Sequence, residues 1–386
     1  LSRTPWPRYL TKKRFSDGEA MTDDERTRGA GRRPTVRDVA RAAAVSPATV
    51  SNVLTGRRAV APERAARVLA AVERLGYRPD PLAANLRSTR RAVLGVLVPE
   101  LANPFFAELV EALERRARAA GWRLLVATSG EDRAEEPRAI EELVTWRPAG
   151  LVLVPVDDSF PARPIVERSG LPCVLVDRVP PGCDAFDSVA IDNPGAARAA
   201  TARLLELGHR RILAVASTLA IANMRERVEG VAAAVTAAGA RLDLLEAGAE
   251  AEPAAAAIAG KLDRSDPPTA IVALTTTLTL AALRALAETG RRVPADCALL
   301  GFDDHAWMQV ARPAIAAVRQ PIGELARLAF DRLRLRAGAE QPLPPCRVRL
   351  ACDIAWRESI AGPPASAPTG PSESPAAPPN RGRLNV

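Results

Sequence analysis

Residues 34–58 read PTVRDVARAAAVSPATVSNVLTGRR. Thr35 and Asp38 have the spacing of a capping box, and they open an apolar-periodic segment of Val36, Val39, Ala40 and Ala43. Ala43-Ala44-Val45 breaks that segment. Ser46-Pro47 then starts a second helix, with the serine oxygen as N-cap and proline preset at the first helical position. Val50, Val53 and Leu54 form its buried face, which leaves Ala48, Thr49, Ser51 and Asn52 on the open side. Two short helices joined by a tight turn make a helix-turn-helix, whose second helix can enter a DNA major groove. Small and amide-bearing side chains can approach base edges, and asparagine can pair bidentately with adenine. The plainer alternative is an ordinary helical hairpin.

Charge separates the two readings. Residues 1–91 hold 20 Arg/Lys and 9 Asp/Glu, a net +11, whereas the remainder holds 33 and 36, a net −3. Residues 34–78 alone carry 8 basic and 3 acidic groups, so the folded module is itself basic. A basic head on a mildly acidic body is the electrostatic footprint of a nucleic-acid binder. At 386 residues and 47% hydrophobic, the chain has room for two or three globular domains. No apolar run reaches the roughly 18 residues of a membrane span. Residues 1–33 lack the apolar core of a signal peptide, so a cytoplasmic location is expected, with Met21 read as the natural start. Cys173, Cys183, Cys297, Cys346 and Cys352 show no CxxC spacing, and His209 and His305 stand alone. No metal site is expected, and the thiols read as buried and idle.

The string VRDVARAAAVSPATVSNVLTG at 36–56 closely resembles the N-terminal DNA-binding signature of the LacI (lactose-repressor) family of bacterial transcription regulators. One departure is Ala44, where the family turn usually carries glycine. Alanine fits there only by avoiding positive φ or by accepting strain. The resemblance puts Thr35, Ser46, Pro47, Ala48, Thr49, Ser51, Asn52 and Arg57 on the DNA side. A third helix follows, with Pro62 at its start, Val68, Leu69, Val72 and Leu75 at helical spacing, and Gly76 at its end. Asp80 and Pro81 then precede Leu82–Ser88, a segment too short to be stable alone. The resemblance implies a hinge helix there, with Leu86 wedged into the minor groove.

From Val93 the pattern changes to short apolar runs alternating with helical stretches, which predicts parallel sheets covered by helices. The alternation is too long for one sheet. The expected fold class is α/β: an all-α helix-turn-helix domain plus two Rossmann-like lobes resembling periplasmic sugar-binding proteins, with chain crossovers near 192, 320 and 339. The expected domains are a disordered extension (1–33), the helix-turn-helix (34–79), a hinge or linker (80–91), a two-lobed effector and dimerisation body (92–358) and a Pro/Ala/Ser-rich disordered tail (359–386) without a leucine heptad.

In such sheets ligands bind beyond the carboxyl ends of strands. Asn103-Pro104-Phe105-Phe106, Asp192-Asn193, Arg227 and Asp303-Asp304 fall there. Matched residue by residue, Phe105, Phe106, Arg227 and Asp303 stand where the family contacts its effector. The family's Asn-Asp after the strand near 270–274 is replaced by Thr275-Thr276-Thr277, and Glu250 stands where an aromatic is common. The candidate effector set is therefore Phe105, Phe106, Asp192, Arg227, Thr275 and Asp303, for a sugar-like or related ligand less hydroxylated than a typical sugar, the alternative being a cleft that has lost its ligand. Trp307 is a possible flat face for it. His209 reads as a cap or surface residue, and for His305 a carboxylate–imidazole pair with Asp303-Asp304 stays open under the enzyme alternative.

These observations predict a sequence-specific repressor, homodimeric on a pseudo-palindromic duplex and modulated by a small molecule, with no cofactor, no catalytic residues and no membrane partner. The rival is an α/β enzyme or a solute-binding protein acting on a small sugar or nucleoside. No P-loop, no G-x-G-x-x-G after a strand and no G-x-S-x-G elbow supports the enzyme. A signal sequence would support the solute binder.

Overall fold

The capping box at Thr35 forms as the sequence predicts. In the computed structural model, which describes residues 34–55, 58–78 and 93–364, the Thr35 amide donates to Asp38 Oδ2 at 2.9 Å and Thr35 Oγ1 accepts from the Asp38 amide at 3.4 Å. Helix α1 (Val36–Ala42) therefore starts there. Ser46 Oγ accepts from the Thr49 amide at 3.1 Å and starts α2 (Pro47–Thr55). Helix α3 (Pro62–Leu75) begins with proline and ends on Gly76 at φ 58°. Val39, Ala40, Ala43, Val50, Val68 and Ala71 close a small core of their own. Leu69 is not part of it: the inward face runs 68, 71, 72, 75, and Leu69, turned about 100° off that face, is 55% exposed.

Ala44 takes φ 49°, so the chain accepts the strain that the usual glycine avoids. A left-handed alanine lies about 1–2 kcal/mol above its right-handed form. Ala44→Gly is expected to stabilise the helix pair by about 1 kcal/mol, once glycine's extra freedom in the unfolded chain is subtracted. Slower hydrogen exchange at the Val50 amide would register it; unchanged or faster exchange would contradict the strain.

The chain divides into two units at Thr89–Arg90. The second contains two six-stranded sheets. The first lobe holds β1 (Val93–Val98), β2 (Arg123–Thr128), β3 (Gly150–Leu153), β4 (Cys173–Val176), β5 (Asp187–Ile191) and β11 (Arg347–Leu350), in the order β11-β5-β4-β3-β1-β2. The second lobe holds β6 (Arg211–Ala216), β7 (Arg241–Glu246), β8 (Ala270–Ala273), β9 (Ala298–Phe302), β10 (Ala316–Arg319) and β12 (Asp353–Ala355), in the order β12-β10-β9-β8-β6-β7. All pairs are parallel except β10 with β12, where Val318 faces Ile354 antiparallel. The strands alternate their faces as a doubly covered sheet requires. In β1, Leu94, Val96 and Val98 join one core cluster while Leu97 joins another. In β6, Ile212, Ala214 and Ala216 do the first and Leu213 and Val215 the second.

Helices α4 (Pro104–Ala119), α5 (Glu135–Thr145), α6 (Arg163–Ser169), α7 (Asn193–Glu206), α8 (Ala222–Ala237), α9 (Ala251–Leu262) and α10 (Thr276–Glu288) follow the predicted alternation. The last stretch departs from the expectation. After the short α11 (Ala306–Val310) and β10, the chain crosses at 320–321 into α12 (Ile322–Gly338), which packs on α4 in the first lobe. It does not cross back near 339. It first adds β11 beside β5, with Val348 opposite Val189, and crosses at 351–352. The second lobe also extends past 358, because buried Ser359 donates through Oγ to Leu299 O at 2.6 Å.

Among the described residues no helix is long and apolar enough to cross a membrane, and no group of three or more His, Cys, Asp or Glu side chains is placed to hold a metal. All five cysteines are free, and burial pushes the Cys297 thiol up to about 12. The expectations for residues 1–33, Arg57, the hinge segment with Leu86, and the tail from 365 lie outside the described residues.

Candidate functional site

On the first unit the candidate reading face is α2. Ser46, Pro47 and Ala48 are exposed at its start, and Thr49, Ser51 and Asn52 are half-buried along it. Val50 is fully buried and anchors the helix from behind. Thr35 sits at the start of α1, with its hydroxyl held by Asp38 Oδ2 at 2.7 Å. Arg37, Arg58, Arg64, Arg67, Arg74 and Arg78 are exposed, as is Arg41, so the positive charge of this unit faces solvent.

In the second unit the candidate residues converge where strands end. Arg227, on α8, is 3% exposed, and its guanidinium carbon lies 3.9 Å from the centre of the Phe302 ring at the end of β9. Its Nε donates to Asn193 Oδ1 at 2.9 Å and its Nη1 to Leu274 O at 2.7 Å. Its Nη2 stands 4.0 Å from Asp177 Oδ1, across the space between the lobes. Asp177 follows β4, has φ 63° and is 5% exposed. Asn223 Nδ2 donates to its Oδ2 at 3.0 Å, but Oδ1 is buried without a hydrogen-bond partner, with the Arg227 guanidinium at ion-pair distance. Burial pushes this carboxyl above the usual range, with Arg227 and Arg178 pulling the other way. Asp303 follows β9 with φ 67° and accepts from Gln320 Nε2 at 2.6 Å. Strained backbone at two facing strand ends is typical of binding sites.

The two phenylalanines stack edge-on at 5.2 Å in the core cluster at the start of α4. Phe106 underlies Arg178, whose guanidinium carbon is 5.5 Å from its ring. Arg178 in turn pairs with Glu131 at 2.7 Å and donates to Val156 O at 2.6 Å. At the rim, the Ala222 amide donates to Asp158 Oδ1 at 2.8 Å, and Arg225 pairs with Asp158, joining the lobes.

Five residues are placed otherwise than the sequence suggests. Asp192 is exposed and caps α7 by accepting from the Gly195 amide at 3.1 Å; the buried residue beside Arg227 is its neighbour Asn193. Thr275 caps α10, accepting from the Leu278 amide at 3.2 Å, and it is Thr276 Oγ1 that is buried without a partner. Trp307 packs against the core cluster on the other side of the second sheet from Phe302. His209 is fully buried rather than superficial, with Nδ1 at 2.9 Å from Thr269 Oγ1 and Nε2 at 2.7 Å from Ala361 O; burial lowers its pKa. His305 pairs with Glu108 on α4 at 3.1 Å, not with the carboxylates beside it. Asp304 is held by Arg319 and Arg357, each at 2.7 Å.

Asp177, Arg178, Asn223 and Gln320 were missed. The strand-end rule points to Asp177 and Arg178 once applied to β4. Asn223 and Gln320 carry no local signal. Unpartnered buried polar atoms recur along the strand ends, at Ser129 Oγ, Asp177 Oδ1, Thr276 Oγ1 and Gln320 Oε1. Buried polar groups are normally paired, so these four, of seven such atoms among the described residues, are candidate partners for a polar ligand.

Residues 35–80 match the family described as bacterial regulatory proteins, lacI family, and residues 91–310 match periplasmic binding proteins and sugar binding domain of LacI family. The HTH-type transcriptional regulator PtxS of Pseudomonas putida is 33% identical over 79% of this chain and 90% of its own length. A transcriptional regulator CelR–cellobiose complex is similar with a TM-score of 0.65 and 31% identity, over 85% of this chain and 100% of that one. The lac repressor dimer bound to operator and the anti-inducer ONPF shares the fold, with a TM-score of 0.76 and 24% identity over 86% of this chain and 100% of that one.

Proposed function

The chain belongs to the LacI family of bacterial regulatory proteins, and from that premise we propose how it reads DNA and which ligand it answers to. It is a DNA-binding transcriptional regulator. Our reading is a homodimeric repressor that places one α2 in each half-site of a pseudo-palindromic operator, with Asn52 and Thr49 toward base edges and the exposed arginines on phosphates. Catalysis has no part in it.

The effector is a neutral, hydroxylated, sugar-like molecule held between the lobes. The observation that carries this is the 4.0 Å gap between Arg227 Nη2 and Asp177 Oδ1, which has no hydrogen-bond partner. An anion placed there would meet the carboxylate, and a cation would meet the guanidinium. A single hydroxyl satisfies both, accepting from arginine and donating to aspartate, at about 2.8 Å from each. Asp303 and Thr276 offer further partners. Thr276 brings a hydroxyl where a carboxylate is usual, which weakens a charge-assisted bond by about 1–3 kcal/mol. The cleft should therefore discriminate against common hexoses. The cellobiose complex of a 31% identical regulator supports a sugar-like class. A ligand across the gap favours one lobe angle over another, and it shifts DNA binding by no more than its differential affinity for the two states.

Calorimetry against a panel of sugars, polyols and nucleosides tests this. Arg227→Ala and Asp303→Ala are expected to remove binding of the panel's best ligand while operator binding persists. Tight hexose binding that survives both substitutions would place the effector elsewhere.

A further inference from the structure

The cleft side chains are bonded directly to the three segments that join the lobes. At the first crossover, fully buried Asn193 is gripped at both ends of its amide: Nδ2 donates to Glu226 Oε2 at 3.0 Å, and Oδ1 accepts from Arg227 Nε at 2.9 Å. At the second, Gln320 holds Asp303, and Arg319 holds Asp304. At the third, Arg349 at the end of the first lobe's sheet makes a bidentate pair with Glu226, at 2.6 and 2.9 Å. One carboxylate on the second lobe thus holds two of the three crossovers, next in sequence to the arginine that faces the cleft. Gly230 makes this approach possible. A Cβ there would lie 2.3 Å from the Pro194 carbonyl oxygen, so only glycine lets α8 rest against the start of α7.

We propose that Glu226 is a positioning residue, a clasp that ties the first and third crossovers together and sets the lobe angle from the hinge side. Its shared grip on Asn193 carries the state of Arg227 into that angle; this second half rests on the effector reading above, and the first half does not. The clasp works by geometry. Opening the lobes must move Arg349, on the first lobe's sheet, relative to α8, whereas Asn193 stays with α8 because the start of α7 is packed on it; both are bonded to the same carboxylate. A bidentate arginine–carboxylate pair tolerates little change of angle.

Two amides report lobe closure without any ligand. The Asp158 amide donates to Ala220 O at 3.3 Å, and the Ala222 amide, at the first turn of α8, donates to Asp158 Oδ1. Hydrogen exchange should be measured on the full chain for wild type, Glu226→Gln and Arg349→Met. Both variants are expected to speed exchange at 158 and 222 by about tenfold or more while Val152 and Val272, inside the two sheets, stay protected. Arg349→Lys, which keeps one ionic contact, should lie between. Unchanged exchange at 158 and 222, or an even rise through both sheets, would overturn the clasp. Arg349→Met removes the pair from an exposed side chain, so the test stands even where Glu226→Gln fails to fold. If exchange behaves as expected while no panel compound binds the cleft, the clasp holds and the effector reading fails.

Discussion

Operator affinity is expected to fall about a thousandfold between roughly 50 and 200 mM monovalent salt. Each phosphate neutralised by an arginine or lysine releases condensed counterions, so the logarithm of affinity drops linearly with the logarithm of salt. Residues 34–78 carry eight basic and three acidic groups, and nearly all of the arginines there are exposed. Two subunits that each lay three or four of them on phosphates give about six to eight contacts, and contacts of that number produce a loss of this size. Anisotropy titrations of a labelled duplex at four or five salt concentrations give the slope directly. A nearly flat slope would mean that the basic head does not track a phosphate backbone.

The second large effect is structural. Asp187, at the start of β5, has no exposed side-chain surface and is gripped by Arg336, by Arg332 at 2.9 Å and by the Cys346 amide at 2.7 Å. It fastens α12 and the start of β11 to the first sheet, which is how residues 322–350 are returned to the first lobe. Asp187→Asn leaves two largely buried guanidinium groups without a countercharge, and is expected to destabilise the second unit by about 3–5 kcal/mol. Burial pushes the Asp187 carboxyl up, but the bonds from Arg336, Arg332 and Cys346 together hold it below the usual range. A depressed carboxyl contributes stability above its unfolded value, and that contribution is lost as pH falls through the folded value. Urea melts should therefore show the full gap between wild type and variant at pH 7, shrinking in strong acid. A gap under about 1 kcal/mol at neutral pH would show that the knot is ornamental, in the range of surface pairs.

The first unit was legible because its signals are local. A capping box, a Ser-Pro start and a proline-led third helix each act within one turn of chain, and each formed where the spacing placed it. The strand–helix alternation of 93–302 was legible for a related reason: β1, β3, β4, β6, β8 and β9 are buried runs made almost wholly of apolar residues, and edge strands such as β7 break the pattern with charged residues. The stretch from 306 was not. Strand β11 has the burial pattern of a sheet edge, and β12 is only three residues long, so neither shows a buried apolar run. Their sheet is chosen by long-range pairing. The cleft was half legible for the same reason. Strand ends named Arg227 and Asp303, but whether Asp192 or Asn193 turns inward depends on which of them the helix takes as its cap. Asp192 serves as the N-cap, which leaves Asn193 for the buried bond. The same competition turns Thr275 into a cap and leaves the Thr276 hydroxyl buried without a hydrogen-bond partner.

The most direct measurement is to select duplexes from a random pool with the purified full chain, and to repeat the selection with Asn52→Ala. The account predicts that wild type enriches a two-fold symmetric sequence, one half-site per subunit. It predicts that the variant loses preference at one position of each half-site, a penalty of about 1–3 kcal/mol. Enrichment of no motif, or of an unsymmetrical one that Asn52→Ala leaves unchanged, would contradict it.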